Sequence, residues 1–402
     1  GFLVMDESFD MWRRRKTERD YARFFDRWFR QDLTDMVLRD RNHPSIILWS
    51  IGNEVLEQWS DASADTLSLE QANMILNAGH KVDELEMSAN FTVNAFLTSE
   101  LAGIVRGLDE TRLITAGCNE PSPGNHLFRS GAIDVIGYNY HNQNVAAVPR
   151  LFPGKPFILT ESVSGLMTRG YYRMPSDEIT ICPPRWDIPY YDPSFACSSY
   201  DNCRVPWGNT HEETLLLQKN TPFVAGQFVW TGFDYLGESG EWPSRGLGTG
   251  LIDFTGALKP NGQYFQALWS NDSSAISKIR QTRMRGWRQN RNNITNAEVH
   301  HVNAYTDFEG KELIQLIIEL DDAEGNRIVR ASNDVKVVVE EGGKLLGIET
   351  GSNNDMSDPK ANHRKANQGL LLAYIKKEGR NTPVVINIDV EGLERKKLVI
   401  NK

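Results

Sequence analysis

Several things are scarce in this sequence, and each shortage narrows what the chain can be. No run of about 18 apolar residues occurs, so no transmembrane helix is expected. The four cysteines, Cys118, Cys182, Cys197 and Cys203, lack Cys-x-x-Cys spacing, which argues against a zinc framework. Cys182, Cys197 and Cys203 share one Pro- and Tyr-rich stretch, where a disulfide and free buried thiols are both open readings. The net charge of -9 gives no general basic footprint for nucleic acid or an anionic membrane. No nicotinamide or phosphate-loop motif, no obligatory metal motif, no repeat of fixed period and no low-complexity tract is present. The chain opens Gly1-Phe2-Leu3-Val4-Met5-Asp6, with no initiator methionine, charged leader or signal peptide.

What is present is a 402-residue chain, long enough for two domains and a substantial core. Its first two thirds alternate short apolar runs with helical patterns. Strands are expected at 2–6, 45–50, 112–116, 134–140, 156–161 and 223–230. An amphipathic helix is expected over 17–41, where Tyr21, Phe24, Phe25, Trp28, Leu33, Met36 and Val37 recur at three- and four-residue steps. Further helices are expected at 91–108 and 211–220, and a long Pro-, Tyr-, Ser- and Cys-rich loop at about 162–208. Near-continuous apolar strands separated by helices predict a parallel sheet covered on both faces. Polar strand ends predict a β/α barrel, whose chemistry gathers at that rim.

After Trp269 the texture changes. Residues 271–296 are polar and basic and read as a linker. From 297 to 402 the pattern alternates and is broken by Glu309-Gly310, Glu324-Gly325 and Gly342-Gly343. That predicts an antiparallel β-sandwich of immunoglobulin type.

Two carboxylates share one design. The run Ile46-Ile47-Leu48-Trp49 leads to Asn53-Glu54, and Phe157-Ile158-Leu159-Thr160 leads to Glu161. A glutamate at a strand end is most often a surface or salt-bridged residue. Two on one rim are what retaining glycoside hydrolysis needs, one as acid and one as nucleophile, about 5–5.5 Å apart. Ten Trp and twelve Tyr suit stacking on sugar rings, although core packing is the ordinary reading of most aromatics.

The segment Asp40-Arg41-Asn42-His43-Pro44 through Gly52-Asn53-Glu54 closely resembles the acid/base signature of glycoside hydrolase family 2. The stretch Lys155 to Ser162 and the run Gly226-Gln227-Phe228-Val229-Trp230-Thr231-Gly232-Phe233-Asp234-Tyr235 resemble that family too. The likeness runs from residue 1 to about 270, as a TIM-type barrel domain from its third to its eighth strand. Gly347 to Asn353 and Lys365 to Gly369 are similar to a C-terminal β-domain of β-galactosidase-like members. The resemblance implies a retaining exo-β-glycosidase with Glu54 as acid/base and Glu161 as nucleophile. It implies sugar contacts for Asn53, Trp230 and Asp6, with Glu7 beside Asp6. It also implies a hydrogen bond to the nucleophile from Tyr140 or from its neighbour His141. A β-glucuronidase would carry an Asn-x-Lys pair. Its absence near Leu247-Gly248-Thr249-Gly250-Leu251 favours galactose over a uronic acid, with mannose as the other alternative. Lys259 reads as a surface residue.

Only six of eight expected barrel strands are present, so the resemblance implies an upstream N-terminal segment as partner. A non-catalytic carbohydrate-binding fragment is the contrasting reading. The implied substrate is a β-linked oligosaccharide or glycoside. No cofactor is implied; some relatives bind Mg or Na, and no residue here fixes such a site. A homo-oligomer is open, as is the compartment, periplasm or cytoplasm.

Overall fold

The computed structural model describes residues 2–58, 92–169, 178–185, 197–199, 201–236, 246–270, 298–328, 330–352, 355–379 and 382–401. Packing divides the chain into two compact units. The first comprises Gly1–Ser164, Ile181–Pro189 and Arg204–Trp230; the second comprises Gly165–Thr180, Tyr190–Cys203 and Thr231–Lys402.

In the first unit, six strands follow one another as the apolar runs predict: β1 (Val4–Glu7), β2 (Ile46–Asn53), β3 (Leu113–Gly117), β4 (Ile136–Asn139), β5 (Phe157–Val163) and β6 (Val224–Trp230). The pairs β1–β2, β2–β3, β4–β5 and β5–β6 are parallel. A parallel bridge between Cys118 and Tyr138 carries the order from β3 to β4. This close approach depends on Gly137. A Cβ there would lie 2.5 Å from the Ala116 carbonyl oxygen and 2.7 Å from Thr115 Oγ1.

Helix α1 (Ala22–Asp40) buries Phe25, Phe29, Leu33 and Val37, four residues apart along one stripe. Phe24 and Trp28, also expected on the apolar face, are exposed. Helix α2 (Val93–Leu108) begins at Thr92, whose side chain accepts the Ala95 N–H and so satisfies one orphan donor. Both helices cover the same sheet face, where Leu33, Val37, Leu101 and Val105 meet Trp49, Ile51 and Ile114. Burying each such side chain contributes about 1.5–3 kcal/mol. The opposite face has its own small cluster of Met5, Leu48, Val135, Ile158 and Phe228. Helix α3 (His211–Asn220) starts with a reciprocal capping box between Thr210 and Glu213.

The second unit contains an antiparallel β-sandwich, the expected C-terminal fold. One sheet joins β7 (His301–Glu309), β8 (Leu313–Asp321), β12 (Leu370–Lys377) and β10 (Gly343–Glu349) in that order. The other joins β11 (His363–Lys365), β9 (Asp334–Glu341), β13 (Val384–Val390) and β14 (Lys396–Ile400). Alternation fixes the core: Ile314, Leu316, Ile318 and Leu320 of β8 point inward to meet Val335, Val337, Ile386 and Ile388.

Residues 231–270 belong to this second unit, so the packing boundary does not coincide with the division expected at 270. Its ties are specific: Tyr374 Oη donates to the Thr255 carbonyl at 3.0 Å, and Arg169 Nε meets Asp253 Oδ2 at 2.7 Å. Lys259, expected at the surface, is buried. Its ammonium meets Asp234 Oδ1 at 2.5 Å and the Met167 carbonyl at 2.8 Å, just ahead of helix α4 (Pro260–Trp269). A lysine in an apolar pattern is stable there because a carboxylate and main-chain acceptors replace its water. The expected linker, 271–296, lies outside the described residues, as does much of the loop after residue 169.

Candidate active site

The C-terminal ends of β2, β4 and β5 share an unusual backbone. Glu54, Tyr140, His141, Val163 and Ser164 have φ values of 44°, 60°, 53°, 76° and 55°. Left-handed φ in bulky residues is costly and persists only where surrounding contacts over-determine it. Here they do. Glu54 N donates to the Gly117 carbonyl at 2.7 Å, Asn53 N to the Phe9 carbonyl at 2.7 Å, and Tyr140 N to the Glu161 carbonyl at 2.7 Å.

These turns bring the two glutamates into one hydrogen-bonded cluster. Asn139 is in register with Glu161 on the neighbouring strand. Its Nδ2 donates to Glu54 Oε1 at 2.9 Å and to Asn53 Oδ1 at 2.8 Å. Thr160 Oγ1 donates to Asn139 Oδ1 at 2.7 Å, which fixes the orientation of that amide. The next residue, Tyr140, donates its hydroxyl to Glu161 Oε2 at 2.8 Å. Gly117 leaves room for the two amides, since a Cβ there would stand 2.9 Å from Asn53 Oδ1 and 3.0 Å from Asn139 Oδ1.

Both glutamates are half-buried as residues, with their carboxyl groups closely surrounded by protein. Burial holds Glu161 well above the usual carboxylate range, and the charge of Glu54 pushes it further; the Tyr140 hydroxyl pulls the other way. Burial also raises Glu54, against the opposing influence of Lys16 and Asn139. Two carboxyls that feel each other's charge titrate as a pair, the loss of one proton making the second harder. Tyr140 stays a hydroxyl, because burial and then the Glu161 and Glu54 charges lift it well above its ordinary value.

Of the remaining residues expected at the site, Asn53 joins the cluster and Trp230 ends β6 beside Val163, half-buried. His141 is adjacent but turns aside; its ring nitrogen Nδ1 lies 3.4 Å from Gln143 Nε2, and burial lowers its pKa. The hydrogen bond to Glu161 is therefore made by Tyr140. Asp6 does not join the cluster. It lies against the Asp40 carboxyl at the end of α1, and burial followed by Asp40 pushes it up to about 6. The alternate residue, Glu7, faces inward, where Ser50 Oγ donates to its Oε2 at 2.6 Å. Desolvation around its carboxyl pushes Glu7 up to about 7, although the residue as a whole is exposed.

Sequence reasoning missed Asn139, Asp10 and Lys16. Lys16 Nζ donates to the Asn53 carbonyl at 2.8 Å and to Asp10 Oδ1 at 3.0 Å, and Asn53 Nδ2 donates to that same oxygen at 2.9 Å. Among the described residues, no group of three or more His, Cys, Asp or Glu is arranged to hold a metal ion.

A pair of strand-end carboxylic acids, each hydrogen-bonded by one of two consecutive residues, can deliver a proton and a nucleophile to the same bond. Known proteins bear on this arrangement. The description "Glycosyl hydrolases family 2, TIM barrel domain" matches residues 5–177, and "Glycoside hydrolase family 2 C-terminal domain 5" matches residues 299–399. The β-galactosidase BoGH2A of Bacteroides ovatus is 42% identical, over 100% of this chain and 54% of its own. A β-glycosidase structure from Bacteroides vulgatus superposes with a TM-score of 0.72 at 21% identity, covering 100% of this chain and 57% of that chain. A family 2 structure from Bacteroides cellulosilyticus gives a TM-score of 0.66 at 20% identity, with coverage of 100% and 55%. At those identities the two structures speak for the fold. The chain spans about half the length of these relatives.

Proposed function

The chain belongs to glycoside hydrolase family 2, and from that premise we propose that it carries the catalytic pair of a retaining exo-β-glycosidase, with a β-galactoside as first substrate. Glu54 protonates the glycosidic oxygen while the Glu161 carboxylate attacks the anomeric carbon, giving a glycosyl ester and a free alcohol. Water then attacks that ester, Glu54 takes its proton, and Glu161 leaves as carboxylate. Esterification removes the Glu161 charge, so the pKa of Glu54 falls when it must act as base. Asn53 is the contact for the sugar 2-hydroxyl, and Trp230 lines the sugar site.

The observation that carries this reading is the joint hold on the two glutamates by the consecutive residues Asn139 and Tyr140. Galactose is favoured by the 42% identity to a β-galactosidase and by the lack of an Asn-x-Lys pair at 247–251. An upstream segment completes the barrel in this reading. Among the described residues, β1 pairs only with β2 and β6 only with β5, and Phe2 and Leu3 are exposed.

The test is hydrolysis of aryl β-galactoside, β-glucuronide and β-mannoside by the chain alone and with its upstream half, followed by NMR of the product anomer. Fastest turnover of the galactoside with β-galactose released first is expected. Release of the α-anomer first would contradict retention, and a faster mannoside or glucuronide would reassign the substrate.

A further inference from the structure

The loop between β1 and α1 grips Asn53 at three points. Its N–H donates to the Phe9 carbonyl, its side-chain amide to Asp10 Oδ1, and its own carbonyl accepts Lys16 Nζ. That carbonyl belongs to the peptide leading directly into Glu54, the residue at φ 44°. The lysine side chain is only 10% exposed, whereas Asp10 is 59% exposed. A buried ammonium with two short acceptors is a costly construction, retained where its geometry is needed.

We propose that Lys16 is a positioning residue for Glu54, pinning the peptide before it while supplying the fixed positive charge of the carboxyl cluster. This rests on the glycosidase reading above and adds a residue outside the acid and nucleophile.

Asp10 meets this ammonium directly, Asp20 Oδ2 on the same loop accepts the Lys16 N–H at 2.6 Å, and the lysine charge is felt by Glu7 on β1, Glu54 after β2 and Glu161 on β5, whose partner is Tyr140 after β4. Lys16 lowers Glu7, Glu54 and Glu161, while Asp10 raises Glu7 and Glu54. Without the lysine charge, the carboxylic forms are favoured and both nucleophile and acid lose their protons at higher pH.

The experiment is the pH dependence of kcat/KM for Lys16→Met, Lys16→Arg and Asp10→Asn in the intact protein, with an aryl β-galactoside. In Lys16→Met, both limbs of the profile should move up by about one pH unit. Lys16→Arg should restore them. Asp10→Asn keeps an acceptor for Asn53 and leaves the lysine charge uncompensated, so its basic limb should move down by roughly half a unit. A purely structural lysine would lower activity equally at every pH. Limbs unmoved in Lys16→Met overturn the proposal. If that variant does not fold, Lys16→Gln replaces it: both limbs moved up support the proposal, and unmoved limbs overturn it. An inactive unaltered protein counts against the glycosidase reading, whereas an active one with unmoved limbs counts against Lys16 alone.

Discussion

Asn139 and Tyr140 are consecutive in the chain, yet each holds a different glutamate: Asn139 Nδ2 donates to Glu54 at 2.9 Å and Tyr140 Oη to Glu161 at 2.8 Å. In a regular strand two neighbours point to opposite faces. The left-handed turn at Tyr140, φ 60°, breaks that alternation and sends both side chains into one cluster. The local strain is thereby tied to the alignment of the two carboxyls.

Tyr140→Phe tests one half of that arrangement. The change keeps the ring and removes a hydrogen bond to a charged carboxylate, which is worth about 1.5–3 kcal/mol. If Tyr140 aligns Glu161, kcat falls roughly 10- to 100-fold with little change in KM. Unaltered kcat in steady-state kinetics would separate the tyrosine from the nucleophile.

Thr160→Val tests the other half. Valine fills the same space but cannot donate to Asn139 Oδ1. The amide then loses its fixed orientation, and the hold on Glu54 loosens. A drop in kcat/KM of about fivefold is expected, equivalent to one neutral hydrogen bond. Full activity would show that the amide keeps its orientation unaided.

Gly137→Ala probes the seam between β3 and β4. Its new methyl group would meet the Ala116 carbonyl at 2.5 Å and Thr160 Cγ2 at 2.6 Å. Backbone on one side cannot yield cheaply, so a loss of about 2 kcal/mol in unfolding free energy is expected from chemical denaturation. An unchanged denaturation midpoint would contradict the close approach of these strands.

Asp109 gives a pH prediction for stability. Burial alone would raise its pKa, but hydrogen bonds from Thr111, Trp49 and Arg112 outweigh it and hold the group below the usual range. A depressed folded pKa adds stability above the unfolded value of about 3.9, and that stability is lost as pH falls through the folded pKa. Asp109→Asn should cost about 2 kcal/mol at neutral pH. The gap to the unaltered protein should narrow below about pH 4. A pH-independent gap in urea unfolding would contradict the assignment.

Much of this architecture is legible before any coordinates. Six apolar runs become six parallel strands; in β2 to β5 the continuous apolar sequence matches burial, whereas β1 and β6 stay half-exposed. Glu54 and Glu161 stand out because each ends such a run. Asp6 and Glu7 are separable only by the pleat: Val4 packs under α1 and Met5 on the other face, so Asp6 shares the α1 face and Glu7 the face of Met5. Asn139 is not legible, since its role depends on the β4–β5 register. Lys16 closes the run Arg13-Arg14-Arg15-Lys16, which looks like a solvated basic stretch. Lys259 deceives in the same way, because no local pattern reveals that Asp234, 25 positions earlier, is its partner.

The most direct measurement is covalent trapping with an aryl 2-deoxy-2-fluoro-β-galactoside, followed by mass spectrometry of the digested protein. One fluorosugar per chain is expected, on the peptide bearing Glu161, with hydrolytic activity lost in step. Label on Glu54 or Glu7, or an active protein that acquires none, would contradict it.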